Sequence, residues 1–215
     1  KSAMDNPNSL LAFTFGNHVA HGAIVQIRAG VADFLGHRSY SDDLGRLLGE
    51  AMAAMPLLAT HLNFEGRINL QFQADPGVPD AMTLLVAQID HHLNVRAMAK
   101  APRELGGRFR QMLTGGLLAL TLEPSHEGVP SSQAVVPIQG ESLGEALEGY
   151  FEQSEQLPTL IRLAVRGDHL AGFMLQRLPL QSAKGTQADW EHLQILAATL
   201  QHDELLDTDP HTVLR

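Results

Sequence analysis

From residue 66 to 178 the chain is written as short apolar–polar runs separated by turn residues, and few architectures can accept that pattern. Ile68, Leu70, Phe72 and Ala74 alternate strictly with polar neighbours, which predicts a strand with one buried face. A Pro/Gly turn at 75–80 leads into a second run at 82–89, and a third at 93–99 completes an antiparallel meander. Runs at 117–122 and 133–138 flank a Pro/Gly-rich loop, with Gly115 and Gly116 turning the chain into the first of them. Those at 160–166 and 170–178 flank Gly167 and Asp168, as a hairpin would. Upstream, residues 19–27 place Val19, His21, Ala23, Val25 and Ile27 on one face of a further strand.

The helical signals fall in separate blocks. Ser41 is placed to cap a long helix whose apolar positions Leu44, Leu47, Leu48, Ala51, Met55 and Leu58 keep helical spacing. Pro56 should kink it, because proline removes a backbone donor and crowds the preceding turn. Short helices are expected over 31–37 and 103–113. A fourth begins at Ser142, three residues before Glu145, the spacing of a reciprocal cap. Its stripe is Leu143, Leu147, Tyr150 and Phe151, and Pro158 forbids continuation. Hairpin-joined strands with segregated helices predict an α+β fold, a mixed but largely antiparallel sheet core packed with helices.

The pattern changes at Pro179. A polar stretch over 180–188 precedes a helix opened by Asp189, with Trp190, Leu193, Leu196, Ala197 and Leu200 on its stripe and Leu205 and Leu206 beyond it. Six acids stand against Lys184 and Arg215 from residue 180 onward. The organisation expected is a core domain over 1–178 and a helical linker over 179–215. On amphipathicity alone the linker stripe reads as a helix packed on the core.

Several classes of function find no support. A formal net charge of −9 argues against nucleic acid and anionic lipid, both of which reward Lys and Arg. No apolar stretch reaches the 18 residues of a membrane span, and the first eight residues lack the apolar core of a signal peptide. Of the eleven histidines, His18 and His21 are three apart and His91 and His92 are adjacent. In extended backbone neither pair aims both rings at one metal ion. No nucleophile elbow occurs, there is no cysteine to activate, and the glycine pairs at 106–107 and 115–116 lack the ending of a phosphate loop. Ser154 lies near a helix end, where a hydroxyl commonly bonds to backbone. No catalytic residue and no metal ligand is assigned.

One stretch carries a resemblance. Tyr150, Phe151, Gln153, Ser154, Glu155, Gln156, Leu157 and Pro158, in the run YFEQSEQLP, resemble the signature of the redox-regulated heat-shock protein 33 chaperones. The run FEGRINLQFQ from Phe64 is similar to the strand that follows that family's long first helix. GFMLQ from Gly172 is similar to the strand closing its core, and DELL from Asp203 to a segment of its linker. These come in the family's order over roughly residues 10 to 215.

The resemblance implies an ATP-independent holdase that binds unfolding proteins and prevents their aggregation, a cytoplasmic stress-response protein and not an enzyme. It implies a linker acting as a lid over apolar surface, which makes Trp190, Leu193, Leu196, Leu200, Leu205 and Leu206 the candidate client-binding and lid residues. A homodimer, with a domain swap through the untethered linker, is the partner state implied. In the family, zinc bound by a C-terminal module of Cys-x-Cys and Cys-x-x-Cys holds the lid shut until oxidation forms disulfides. This chain has no cysteine, so no cofactor is expected in it, and zinc is implied only for the full-length family member. The expected explanation is truncation of a longer protein, the alternative a natural cysteine-free variant. Two other readings remain: a ligand-binding or enzymatic domain using Asp90, His91 and His92, or a dimerisation scaffold.

Overall fold

A computed structural model of the chain describes residues 7–16, 18–31, 40–62, 65–78, 81–102, 104–179 and 185–215. The helix expected over 31–37 lies, beyond Val31, outside these residues, as do Phe64, Arg103 and residues 180–184 of the polar stretch. The described strands form two antiparallel sheets. Strands β1 (Asn8–Thr14), β2 (Ala20–Ile27), β8 (Thr159–Arg166) and β9 (His169–Arg177) make a four-stranded sheet in the order β1-β2-β9-β8. Strands β3 (Gly66–Gln73), β4 (Leu84–Asp90), β5 (Val95–Lys100), β6 (Leu117–Pro124) and β7 (Ser132–Pro137) make a five-stranded sheet in the order β5-β4-β3-β6-β7. The α+β expectation holds, and the β3–β4–β5 meander and the β8–β9 hairpin lie where the turn residues predict.

Helix α1 (Asp42–Leu62) lies between the sheets. The sequence suggests one apolar stripe, yet every residue from 51 to 58 is buried. A helix sandwiched between two apolar surfaces has no solvent side to keep polar over that stretch. Ser41 caps it as expected, its Oγ accepting from Leu44 N–H at 3.3 Å while donating to the Leu105 carbonyl. The helix continues through Pro56, whose carbonyl accepts from Thr60 Oγ1 at 2.9 Å. Glu50 sits on this helix, and burial pushes its carboxyl up to about 7 against the pull of Arg46 one turn earlier.

The four-stranded sheet is buried on both faces. Ala23, Val25, Leu170 and Met174 point inward to α1. Ala20, Ile24, Ala164, Ala171, Phe173 and Leu175 point outward into a second apolar cluster. Val19 joins that outer cluster, not the face of His21 and Ala23 that the alternation suggests, because regular strand begins only at Ala20. A short helix α2 (Phe109–Met112) is all that forms of the one expected over 103–113.

Helix α3 (Leu143–Tyr150) has the predicted cap, Ser142 Oγ accepting from Glu145 N–H at 3.2 Å. It lies against the edge strand β8. A Cβ on Gly144 would stand 2.9 Å from the Ile161 carbonyl, and Glu148 accepts the Ile161 N–H at 2.8 Å. That contact pairs an edge donor that would otherwise invite another strand. Three helices follow, α4 (Gln187–Ala198), α5 (His202–Asp207) and α6 (Pro210–Val213), and they cover the outer face of the four-stranded sheet.

Candidate functional site: a helical cover on an apolar sheet

The outer sheet face carries Ile24, Ala171, Phe173 and Leu175, with Phe13, Phe15 and Leu160 at its margins. Phe13 and Phe173 stack with ring centroids 6.1 Å apart, and Phe15 meets Phe13 edge-on at 5.7 Å. Three helices rather than solvent meet this surface.

Helix α5 makes the tight contact. Leu205 and Leu206 are 0% and 3% exposed. Its last carbonyls, which a helix cannot satisfy internally, are met by side chains at the end of β2. Gln26 Nε2 donates to the Leu205 and Thr208 carbonyls at 2.7 and 2.8 Å, and Arg28 Nη2 donates to the Leu206 carbonyl at 2.7 Å. At the rim Arg166 pairs with Asp203 at 3.3 Å and with both carboxylate oxygens of Asp207. The guanidinium holds the Asp207 carboxyl below the usual carboxylate range.

Helix α4 is capped reciprocally by Thr186 and Asp189 and docks through Trp190 and Ala197, with Leu193 and Leu200 half-buried. Leu196, expected on the buried stripe, is instead 53% exposed, beside Ile195 at 66%. The helix turns about 100° per residue, so Trp190, Leu193, Ala197 and Leu200 form the contact line and Leu196 falls on its flank. Between α4, α6 and the sheet an apolar cavity of about 370 Å³ remains, lined by Phe15, Phe173, Leu193, Leu196, Leu200 and Leu214 among others. At the start of the cover, Gly185 lies so close to the core that a Cβ there would stand 2.4 Å from that of Val19.

The YFEQSEQLP run lies away from this cover. Tyr150 ends α3 and Phe151 is fully buried. Residues 151–155 then form one wide π-helical turn, and Gln156 takes a left-handed conformation with φ 55°. The Phe151 carbonyl accepts the N–H groups of both Gln156 and Leu157, closing the turn before Pro158. Gln153 and Ser154 are exposed, and Ser154 hydrogen-bonds to the Tyr150 phenol. Burial and the Glu155 charge push that phenol up to about 12. Glu155 meets His61 from the last turn of α1, Nε2 to Oε2 at 3.0 Å. No sequence spacing links these two, which lie 94 residues apart.

Asp90, His91 and His92 form an exposed turn in which the Asp90 carboxylate accepts the backbone N–H groups of His92 and Asn94. Among the described residues no group of three metal-ligating side chains converges. No described helix is long and apolar enough to cross a membrane.

The model of the Hsp33 protein family matches residues 8–215. The chain belongs to the Hsp33 family. It is 36% identical to the 33 kDa chaperonin of Azotobacter vinelandii over 209 residues, covering 94% of this chain and 68% of that protein. With the 33 kDa chaperonin of Chromobacterium violaceum the identity is 35% over 213 residues, or 98% of this chain and 70% of the relative. The crystal structure of the 33 kDa chaperonin of Thermotoga maritima shares the fold, with a TM-score of 0.80 at 20% identity over 97% of this chain and 74% of that one. The Hsp33 chain described here is accordingly a chaperone, and its work lies in binding other proteins. It has no cysteine, so its residues do not fit a thiolate-bound zinc.

Proposed function

We propose that the chain is an ATP-independent holdase whose client surface is the outer face of the four-stranded sheet together with the underside of the helices over it. The body would be residues 1–178 and the cover residues 179–215. Trp190, Leu193, Leu200, Leu205 and Leu206 hold the cover down, while Leu196, already exposed, offers a first contact to a client. The observation that carries this reading is an apolar sheet face closed by separate helices with a cavity left between them. Burial of apolar surface, at about 25 cal/mol per Å², supplies the drive for both cover and client, so the two compete for one surface. Nothing in that step requires nucleotide, bond making or a metal.

A cytoplasmic stress-response role, and a homodimer formed by exchange of the cover between copies, extend the same reading. Zinc belongs to it only as a property of full-length relatives that carry cysteines. The test is light scattering by an aggregating client protein, without nucleotide, in reducing and in oxidising buffer. Equal suppression in both is expected. A Leu193→Ser/Leu200→Ser double variant should suppress aggregation more strongly because its cover docks less firmly. Weaker suppression by that variant would make the helices part of the client surface and not its cover. Absence of suppression by either protein would sink the holdase reading for this chain.

A further inference from the structure

Six side chains from five segments meet behind the YFEQSEQLP turn, and the function proposed above uses none of them. His21 of β2 stacks on His61 of α1, ring centroids 5.9 Å apart and planes 20° from parallel. His61 also meets the edge of Phe151 at 5.0 Å and binds Glu155 through Nε2. Directly across the sheet from His21 lies Gln176 of β9, fully buried, whose Nε2 donates to Thr159 Oγ1 at 2.9 Å. Thr159 donates in turn to the Leu157 carbonyl at 2.9 Å. The chain of contacts therefore leaves the turn at Glu155, crosses α1, β2 and β9, and returns to the turn at Leu157.

Among the described residues, the buried Nδ1 of His61 has no hydrogen-bond partner. The His61 side chain is only 9% exposed. A neutral His61 donates from Nε2 to the Glu155 carboxylate and keeps Nδ1 as a bare acceptor. A charge on His21 would be buried against the His61 ring across the stack. Glu155 faces His61, with Tyr150 behind it; beside His21, β9 and β1 place the neutral Gln176 and Thr14, and β8 the neutral Thr159.

We propose that His21, His61 and Glu155 form an acid-sensitive joint, in which a proton gained by His21, stacked on the His61 that Glu155 holds, releases the YFEQSEQLP turn from α1 and β2. The direction is fixed by linkage. Burial, and secondarily His61, hold His21 below its ordinary value, while hydrogen bonding to Gln176 pulls the other way. The opened joint therefore binds protons more readily than the closed one. Closure is complete above the free imidazole value of about 6.5 and weakens as pH falls below it. Phe151 and Tyr150, buried against the joint, become accessible when it opens. This regulation is separate from the holdase reading and from any cysteine chemistry.

The test uses the whole chain and two readouts between pH 7.5 and 5.0. NMR titration of the histidine ring protons should show His21 titrating below the free imidazole value. Hydrogen-exchange protection over residues 151–159, corrected for the intrinsic rate, should fall by up to tenfold per pH unit below about 6.5, while β3 keeps its protection. His21→Gln retains a polar side chain opposite Gln176 and should flatten that fall. His61→Gln, which can still donate to Glu155, removes only the lesser of the two causes and should lessen the fall without abolishing it. A free-imidazole titration of His21, or an equal loss of protection in wild type and both variants, would overturn the joint.

Discussion

Helices α4 and α5 lie on the same sheet face, a few residues apart in the chain, and are held in opposite ways. Helix α5 presses two fully apolar side chains into the outer cluster and has its last carbonyls bound by Gln26 and Arg28 of the body. Helix α4 is longer, yet it docks on Trp190 and Ala197, leaves a cavity of about 370 Å³ beneath it and exposes Ile195 and Leu196. Length and amphipathic appearance do not measure how firmly a helix is attached. What counts is whether its leucines reach the surface and whether its backbone ends find partners there. The cover is latched at one end and loose at the other, so opening should start at α4 with α5 as the pivot.

The sharpest way to break that contrast is Leu205→Ala. Truncating a fully buried leucine costs about 2–5 kcal/mol. If α5 is the latch, binding of an apolar dye rises and protease cleavage after residue 186 becomes fast. An effect of comparable size on the body alone comes from Glu50→Gln. Because the Glu50 carboxyl is raised in the folded state, stability declines as pH rises from the unfolded value to about 7. The substitution should remove that slope and add about 3 kcal/mol at pH 8, with little change at pH 4, measured by urea unfolding. Dye binding should stay unchanged, separating body stability from the hold of the cover.

Gln26→Leu comes next. It strips one buried and one half-buried carbonyl of their donor at a cost of about 1–3 kcal/mol, and the exchange of α5 amides should speed up before that of α4. The smallest stability effect belongs to Leu196→Ser, within about 0.5 kcal/mol because the side chain is already in solvent. Client capture should nonetheless fall, since that side chain leads the open edge. Melting temperature and light scattering on one preparation would separate these outcomes.

Much of this was legible in the sequence, for reasons that also mark where legibility stops. Alternation at Ile68, Leu70 and Phe72 and the cap at Ser142 report local geometry, and both stand where the pattern puts them. The cover failed at one residue. The stripe names both Leu196 and Ala197, whereas the helical angle keeps Ala197 on the contact line and turns Leu196 to its flank. The burial of Ala53, Ala54 and Leu57 on α1 depends on a second sheet lying across it, which no window along the chain contains. His61 and Glu155 meet only because α1 and the YFEQSEQLP turn converge in space. Neither residue stands at a distinctive spacing from the other histidines or acids.

Strand β9 has a consequence for how such a chain can vary. Leu170 and Met174 answer to the body, with Gly172 packed closely between Leu57, Leu163 and Val25; Ala171, Phe173 and Leu175 answer to the cover. Six consecutive positions thus hold two interleaved instructions, one for the body and one for the hold of the cover. If the proposed function holds, selection can tune release through every second position of the strand. A shift of one residue in the strand's register would exchange the two messages wholesale.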